Sequence, residues 1–363
     1  MRSILIMAFA AGFISSATAA TELKSPFADV SPRLVDGTAL TCPDAPPKPV
    51  VSLSVTSIYA DSDPSRSEID ADNFDEYTEG MAGVRDYLAR VTRYASDYAA
   101  SLGRKVRSGV CAVTWINAWA EGDALSELDT RQSSLSATRI VGGMAMAYLV
   151  VRPVAKAMES DESVLLSWFG RRAHEFIATY ETKGNVPSNR SNHRYWGGFA
   201  VAAAGVVTGD RDLLAWGVES FKIGACQITD AGALPLELNR EKRARDYHLH
   251  AIAPMVMIAE LAAANGIDAY GLCGGAFHRL VRFALTQVED PEEIVALTGV
   301  KQVAIPSRDG HPRGDRFAWV DPYFRRFGGS EADYGFSLER PLFSSNLGGR
   351  ITAYSNAEDA LSQ

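Results

Sequence analysis

The stretch SNRSNHRYWGGFAVAAAGVVTG, residues 188–209, joins a polar cluster to an uncharged apolar run. The run Gly197–Val207 is small and apolar on every side, which is typical of a helix buried among other helices. The cluster before it brings together an amide in Asn192, an imidazole in His193, guanidinium groups and two aromatic rings. Polar residues at the start of a buried helix present side chains and free backbone N–H groups to a cleft. The alternative is a capped helix start around a hydrogen-bonded core histidine.

Seven further segments repeat apolar residues at three- and four-residue spacing, so most of the chain is predicted to be helical. They run from FDEYTEGMAGVRDYLARVTRYASDYAASLGR to GGAFHRLVRFALTQV, and short turns such as GDRD and ANGID separate them. Alternating strand patterns are scarce. The pattern predicts an all-α fold of antiparallel helical hairpins. Periodicity alone does not choose among a closed toroid, an open solenoid and a bundle.

Residues 1–19 are predicted to be a secretory signal peptide. A basic start is followed by the apolar run Ile4–Ile14, which is too short to span a bilayer, and by the small-residue cleavage site Ala17–Ala19. An uncleaved anchor is the alternative. No later stretch is expected to be long and apolar enough for a membrane helix, so we expect a soluble, exported protein, periplasmic in a bacterium.

The mature chain is predicted to hold an extended segment and one large domain. Residues 20–50 include the proline-rich CPDAPPKPV, and residues 51–363 contain no linker-like break. The four cysteines are Cys42, Cys111, Cys226 and Cys273, and their spacing does not assign pairs. Cys111 and Cys226 are predicted at buried helix positions, where a free thiol acts as a small hydrophobe.

A second polar cluster lies in LPLELNREKRARDYHLHAIAP, residues 234–254. Arg240 and Tyr247 are seven residues apart, so they share a face if the helix is continuous, with Arg243 between them. Glu237 precedes Arg240 by three residues and is predicted to orient it. The alternative is an exposed, charged helix, but the apolar run after Tyr247 favours a helix that passes from a cleft into the core.

The same stretch also offers residues for two other kinds of site. His248 and His250 form a possible metal pair, but no further ligand stands at metal-binding spacing. Asp246 and Glu237 are candidates for the opposed carboxylates of a glycoside hydrolase, without an independent signature.

SNHRYW before a small-residue helix, and then LPLELNREKRARDYHLHAIAPM, resemble the alginate lyase family, polysaccharide lyase family five. The family pattern is roughly Asn-Asn-His-Ser-Tyr-Trp, then Leu-Pro-Asn-Glu-Leu-x-Arg, with Tyr-His seven residues after that Arg. TCPDAPP, CAVTWINAWAEGDAL, VVTGDRDLLAWGV, FAWVDPYF and RPLFSSNLGGRIT match in order, so the resemblance covers nearly the whole mature chain. It implies an incomplete (α/α) toroid with a substrate cleft.

The resemblance also implies β-elimination on an acidic polysaccharide, without metal or cofactor. Asn192, His193 and Arg240 match the residues that neutralise the uronate carboxylate, and Tyr247 matches the acid and base. His193 is the expected base where the C5 proton lies on the opposite face of the sugar. The expected substrate-binding residues are Tyr59, Arg66, Tyr195, Trp196, Arg243 and His250, and Arg243 is expected to lower the pKa of Tyr247.

This sequence departs from the family pattern at several substrate-contacting positions. The N-terminal lid of the family carries Lys or Arg before its Tyr, whereas SIYADSDPSR has Ile58 before Tyr59, with Arg66 as a partial substitute. Ser191, Arg194 and His250 stand where many members have Asn, Ser and Tyr. The resemblance implies an alginate or polymannuronate-like substrate, and these changes count against polymannuronate specificity and make another polyuronate such as glucuronan the alternative. A non-catalytic polysaccharide-binding or export-associated protein on the same fold is a further alternative.

The net charge of −8 excludes nucleic acid as an expected partner and requires the positive charge to be local. Six basic residues are predicted to make the cleft positive: Arg190, Arg194, Arg240, Lys242, Arg243 and Arg245. The expected partner is an acidic polysaccharide, and the expected state is a monomer.

Overall fold

The computed structural model describes residues 22–27, 29–35, 37, 40–181, 186–308 and 311–351. The predicted signal peptide, residues 1–19, lies outside them. The α-helices are α1 Ala71–Ala100, α2 Val106–Glu121, α3 Arg131–Ala157, α4 Ser163–Glu181, α5 Asn192–Thr208, α6 Arg211–Ala225, α7 Pro235–Leu238, α8 Ala244–Ala264, α9 Leu272–Thr286, α10 Glu292–Thr298 and α11 Val320–Phe327. Each segment with helical spacing forms a helix, which confirms the all-α class.

Short strands and 3-10 turns connect the helices. The strands are β1 Ser52–Leu53, parallel to β2 Glu127–Leu128, and β3 Ser307–Arg308, antiparallel to β4 His311–Pro312. The 3-10 turns are Pro187–Asn189, Glu241–Arg243, Gly314–Arg316, Glu331–Tyr334 and Ser345–Leu347.

The helices form two rows, one inside the other. Along the inner row α1 contacts α3, α3 contacts α5 and α5 contacts α8, while α2, α4, α6 and α9 pack behind them as hairpin partners. The 3-10 turn Ser345–Leu347 contacts α1, α3 and α8, and so bridges the two ends of the inner row. This arrangement is the incomplete (α/α) toroid that the resemblance implies.

Helix α5 is the centre of the core. It packs against α3, α4, α6 and α8, and its residues from Arg194 to Val207 are buried. A β-carbon on Gly198 would lie 2.4 Å from the β-carbon of Ser220, and one on Gly217 would lie 2.5 Å from that of Ala202. The small residues of the opening stretch therefore let α5 and α6 approach each other closely.

Residues 42–47 of the N-terminal segment lie along α2 and are tied to it covalently. Cys42 forms a disulfide with Cys111 of α2, and the indoles of Trp115 and Trp119 donate to the carbonyls of Asp44 and Pro47 at 3.0 and 3.1 Å. The division of the chain at residue 51 stays a prediction.

The second disulfide joins Cys226 to Cys273. Cys226 lies at the exposed end of α6, so the prediction of a buried free thiol at this position was wrong. At Cys111 the burial was predicted correctly, but the thiol is not free.

Two helical segments, Arg131–Ala157 and Glu241–Ala264, are long and apolar enough to cross a membrane by length and composition. The expectation that no such stretch follows the signal peptide was therefore wrong. Buried fractions of 89% and 72% of their apolar windows are what core helices of a toroid require.

Candidate active site

The start of α5 is held by a carboxylate from another segment. Ser191 occupies the N-cap position without a side-chain cap, and the backbone N–H of Asn192 donates instead to Oε1 of Glu237 at 2.7 Å. Nδ2 of Asn192 donates to Oε2 of the same carboxylate at 2.9 Å. Glu237 therefore orients Asn192, whereas the sequence predicted that it orients Arg240.

His193 follows on the same turn and faces a cavity of 610 Å³ that Asn192, Arg240 and Tyr247 also line. Its carbonyl accepts a bond of 2.6 Å from the hydroxyl of Tyr180. Burial and the neighbouring guanidinium groups, Arg139 foremost, lower the pKa of His193 to about 3. The imidazole is therefore neutral at pH 7, with one ring nitrogen free of a proton, and it is a weaker base than an exposed imidazole.

The helix predicted to carry both Arg240 and Tyr247 is broken between them. α7 ends at Leu238, Glu241 adopts a left-handed φ of 46°, and α8 begins at Ala244. The break still brings the two residues together, because the guanidinium carbon of Arg240 lies 3.7 Å from the centroid of the Tyr247 ring. They meet by stacking rather than through a shared helix face.

Tyr247 contacts a second tyrosine. Its hydroxyl lies 2.6 Å from that of Tyr59 in a hydrogen bond whose donor is either group. Burial and Tyr59 raise the pKa of Tyr247 well above its usual range, and Arg240 opposes the rise. The guanidinium carbon of Arg243 lies 6.0 Å from the Tyr59 ring centroid, and Arg243 is not among the charges that shift the Tyr247 pKa. The cation that lowers this pKa is therefore Arg240, whereas the sequence analysis expected Arg243.

The loop 57–70 that carries Tyr59 is docked on the second motif. Arg240 donates to the carbonyl of Arg66 at 2.6 Å, Arg243 donates to the carbonyl of Ser67 at 2.7 Å, and Lys242 pairs with Glu68 at 2.5 Å. Arg66 itself lines the 610 Å³ cavity. Arg243 is committed to holding the loop rather than facing the described cavities.

A second cavity of 360 Å³ continues the cleft past Tyr247. The residues that line both cavities are Ile58, Tyr59, Tyr77, Arg139, Tyr247 and His250. Trp196 lines the second cavity, with its ring centroid 5.1 Å from that of His250. Its indole nitrogen is buried and has no hydrogen-bond partner among the residues that the structure describes.

Tyr195 and Arg194 point away from the cleft, contrary to prediction. The Tyr195 hydroxyl donates to the carbonyl of Arg190 at 2.9 Å, and its ring lies over Gly224 of α6. Arg194 donates to Ser220 at 2.8 Å and its guanidinium lies 3.7 Å from the centroid of Trp216. Both side chains hold α5 against α6.

The positive charge of the cleft comes mainly from other residues than predicted. Arg194 and Arg245 are buried, and Arg245 donates to three backbone carbonyls, those of Gln287, Val288 and Val303. Arg190 is exposed and Lys242 is paired with Glu68. The arginines that line the two cavities are Arg66, Arg85, Arg131, Arg139, Arg240 and Arg316.

Sequence reasoning missed Tyr77 of α1 and Arg139 of α3. Arg139 donates to the Tyr77 hydroxyl at 3.0 Å, and Arg139 and Arg85 lower the Tyr77 pKa against the effect of burial. A signal was present in the sequence, because Arg131 and Arg139 lie in the first turns of a helix whose next twelve residues are uncharged. Such charges in a buried helix need a ligand or a partner.

The metal pair and the opposed carboxylates are not assembled. Both ring nitrogens of His248 bond to backbone, at Leu234 and Ala244. Glu237 is 1% exposed and bound to Asn192, and Asp246 forms an ion pair with Arg316. Within the described residues, neither carboxylate is free to act on a glycosidic bond from an opposed position.

The alginate lyase family model matches residues 54–294. The chain belongs to the alginate lyase family. It is 32% identical to an alginate lyase of Pseudomonas paraeruginosa over 87% of this chain and 86% of the relative, and 31% identical to one of Azotobacter vinelandii over 94% and 90%. Membership in this family makes the chain a polysaccharide lyase.

Solved structures of alginate lyase A1-III from a Sphingomonas species show the same fold at 23% identity. One aligns with a TM-score of 0.72 over 90% of this chain and 89% of the other. Histidine-to-alanine and tyrosine-to-phenylalanine variants of that enzyme, each in complex with a tetrasaccharide, align with TM-scores of 0.74 over 86% of both chains. The family and the fold predicted from the sequence are confirmed.

Proposed function

We propose that this chain cleaves a 1,4-linked polyuronate, alginate or polymannuronate-like, by β-elimination. The observation that carries the proposal is the convergence of Asn192, His193, Arg240 and Tyr247 on one cavity. The arginines along the cleft supply the local positive charge that a polyanion requires on an acidic protein.

In the proposed reaction, Asn192, His193 and Arg240 stabilise the charge that develops on the uronate carboxylate as the C5 proton leaves. The Tyr247 phenolate takes that proton. The C5–H electron pair becomes the C4–C5 double bond, and the C4–O4 bond breaks with its pair on O4. The Tyr247 hydroxyl then returns the proton to O4, which regenerates the phenolate. His193, neutral at pH 7, is the proposed base for a sugar with the opposite C5 configuration.

Ultraviolet absorbance tests the reaction, because elimination alone gives an unsaturated sugar. A panel of polymannuronate, polyguluronate, glucuronan, hyaluronan and pectate is expected to give a rise on polymannuronate. A rise on glucuronan instead assigns the alternative substrate, in agreement with Ile58 in the cleft wall. Reducing ends without absorbance indicate hydrolysis, and binding without either product leaves the non-catalytic alternative.

We also propose that the protein is exported after cleavage of residues 1–19. The two disulfides, Cys42–Cys111 and Cys226–Cys273, support an oxidising compartment, the periplasm of a bacterium. The mass of the protein from the periplasmic fraction is expected to match a chain that begins after the signal peptide, less four hydrogens. A full-length mass or four free thiols contradicts export.

A further inference from the structure

Glu237 is a buried carboxylate behind the wall of the cleft, against Asn192, and the proposed reaction has no use for it. It is 1% exposed, and both of its oxygens accept hydrogen bonds from Asn192. Burial raises the Glu237 pKa to about 7, while the two Asn192 bonds and Arg240 oppose the rise. A glutamine or an apolar side chain would fill the same space without the free-energy cost of burying an ionisable group. A buried carboxylate at this position therefore indicates a specific role.

The carboxylate determines which way the Asn192 amide is turned. An amide has an oxygen that accepts and a nitrogen that donates two hydrogens, and the two orientations differ by a flip. A carboxylate such as that of Glu237 attracts the amide nitrogen, which donates, and repels the amide oxygen, which only accepts. With one Nδ2 hydrogen directed at Glu237, the second is left for a ligand in the cavity that Asn192 lines, and Oδ1 is buried without a hydrogen-bond partner among the described residues.

The backbone of the same turn is fixed from both sides. Glu237 accepts the backbone N–H of Asn192, and Tyr180 donates to the backbone carbonyl of His193. The pair of residues that face the substrate therefore sits between two buried groups that reach it from α4 and α7. A shift of such groups by about 1 Å lowers a rate by about 10²-fold.

We propose that Glu237 is a positioning residue, which locks the Asn192 amide with an Nδ2 hydrogen directed at the uronate carboxylate. This inference rests on the proposed function, in which Asn192 binds that carboxylate. Glu237 does not touch the reacting atoms and acts through Asn192.

A double-mutant cycle at Glu237 and Asn192, with kinetics measured on the polymer that gives product, tests this positioning role, called the lock below. E237Q places a donor against Nδ2 and favours the flipped amide, so kcat is expected to fall by about 10–100-fold with KM changed less than about threefold. Asn192→Ala is expected to lower kcat by about 10²–10³-fold. The double variant is expected to be no slower than Asn192→Ala alone, because Glu237 has nothing left to position.

A matched control separates an effect on the position of Asn192 from an effect on the stability of the folded protein. Glu331 is 7% exposed and bound to Arg340, and it is not among the residues that line the two cleft cavities. E331Q is expected to lower the melting temperature without changing kcat. Effects of E237Q and Asn192→Ala that multiply, or an unchanged kcat in E237Q, overturn the lock. Full turnover in Asn192→Ala contradicts the proposed function itself.

Discussion

Tyr247→Phe is expected to lower kcat by about 10²–10⁴-fold and to leave polymer binding within a few-fold of the native protein. The variant removes one oxygen atom and keeps the ring that stacks on Arg240 at 3.7 Å. If the protein is a lyase, this variant loses the hydroxyl that carries the proton, and turnover falls. If the protein is a non-catalytic binder, the variant should bind the polymer as the native protein does. The measurement is the rate of absorbance increase together with the affinity for an uncleaved oligosaccharide.

Tyr59→Phe is the matched control, because it removes the partner oxygen of the same 2.6 Å hydrogen bond. Tyr59 is among the causes that raise the Tyr247 pKa, so its loss brings that pKa down. We expect at most about a tenfold change in kcat, which corresponds to one pKa unit. Equal losses in the two variants contradict the assignment of Tyr247 as the acid and base.

The pH dependence of kcat follows from the direction of the Tyr247 shift. The pKa lies above its usual range, so the phenolate is the minor form at pH 7 and its fraction rises with pH. The native kcat is therefore expected to rise on the alkaline side, and Tyr59→Phe moves that rise to lower pH. A kcat that falls throughout this range assigns the base to another group.

The fold and the two motifs were predictable because their signals are local. The small apolar run of α5 and the helical spacing of its neighbours predict a buried central helix, and Asn192, His193 and Trp196 do line the cleft. Periodicity also separates them from Arg194 and Tyr195. At about 100° per residue, Asn192, His193 and Trp196 share one side of the helix, and the other two point away.

The second motif was less predictable because its geometry depends on distant segments. Glu241 takes a left-handed backbone conformation without a glycine or proline signal, and this breaks the expected helix. Arg245 looks like cleft charge in the sequence, but the carbonyls of residues 287, 288 and 303 surround it. Tyr77 and Arg139 reach the cleft from α1 and α3, and the pairing of two such helices is a property of the whole toroid.

Arg240→Ala is expected to lower kcat/KM by about 10²–10³-fold. Arg240 has three contacts: its guanidinium stacks on Tyr247 at 3.7 Å, lies 4.8 Å from the Tyr59 ring centroid, and donates to the Arg66 carbonyl. Arg240 also lines the 610 Å³ cavity, where its guanidinium is expected to pair with the uronate carboxylate. The substitution therefore removes a carboxylate ligand, a cation that opposes the high Tyr247 pKa and a tie to the loop 57–70.

Two further variants separate these contributions. Lys242→Ala removes one positive charge two residues away, and because Lys242 pairs with exposed Glu68, we expect kcat/KM within about threefold of native. Arg240→Lys keeps the charge but loses the planar fork and the stacking, so it should recover only part of the activity. Its alkaline rise in kcat should lie nearer the native position than that of Arg240→Ala, because the Tyr247 pKa responds to charge. Similar losses in Lys242→Ala and Arg240→Ala would mean that the loop tie, and not the guanidinium at the cleft, sets the rate.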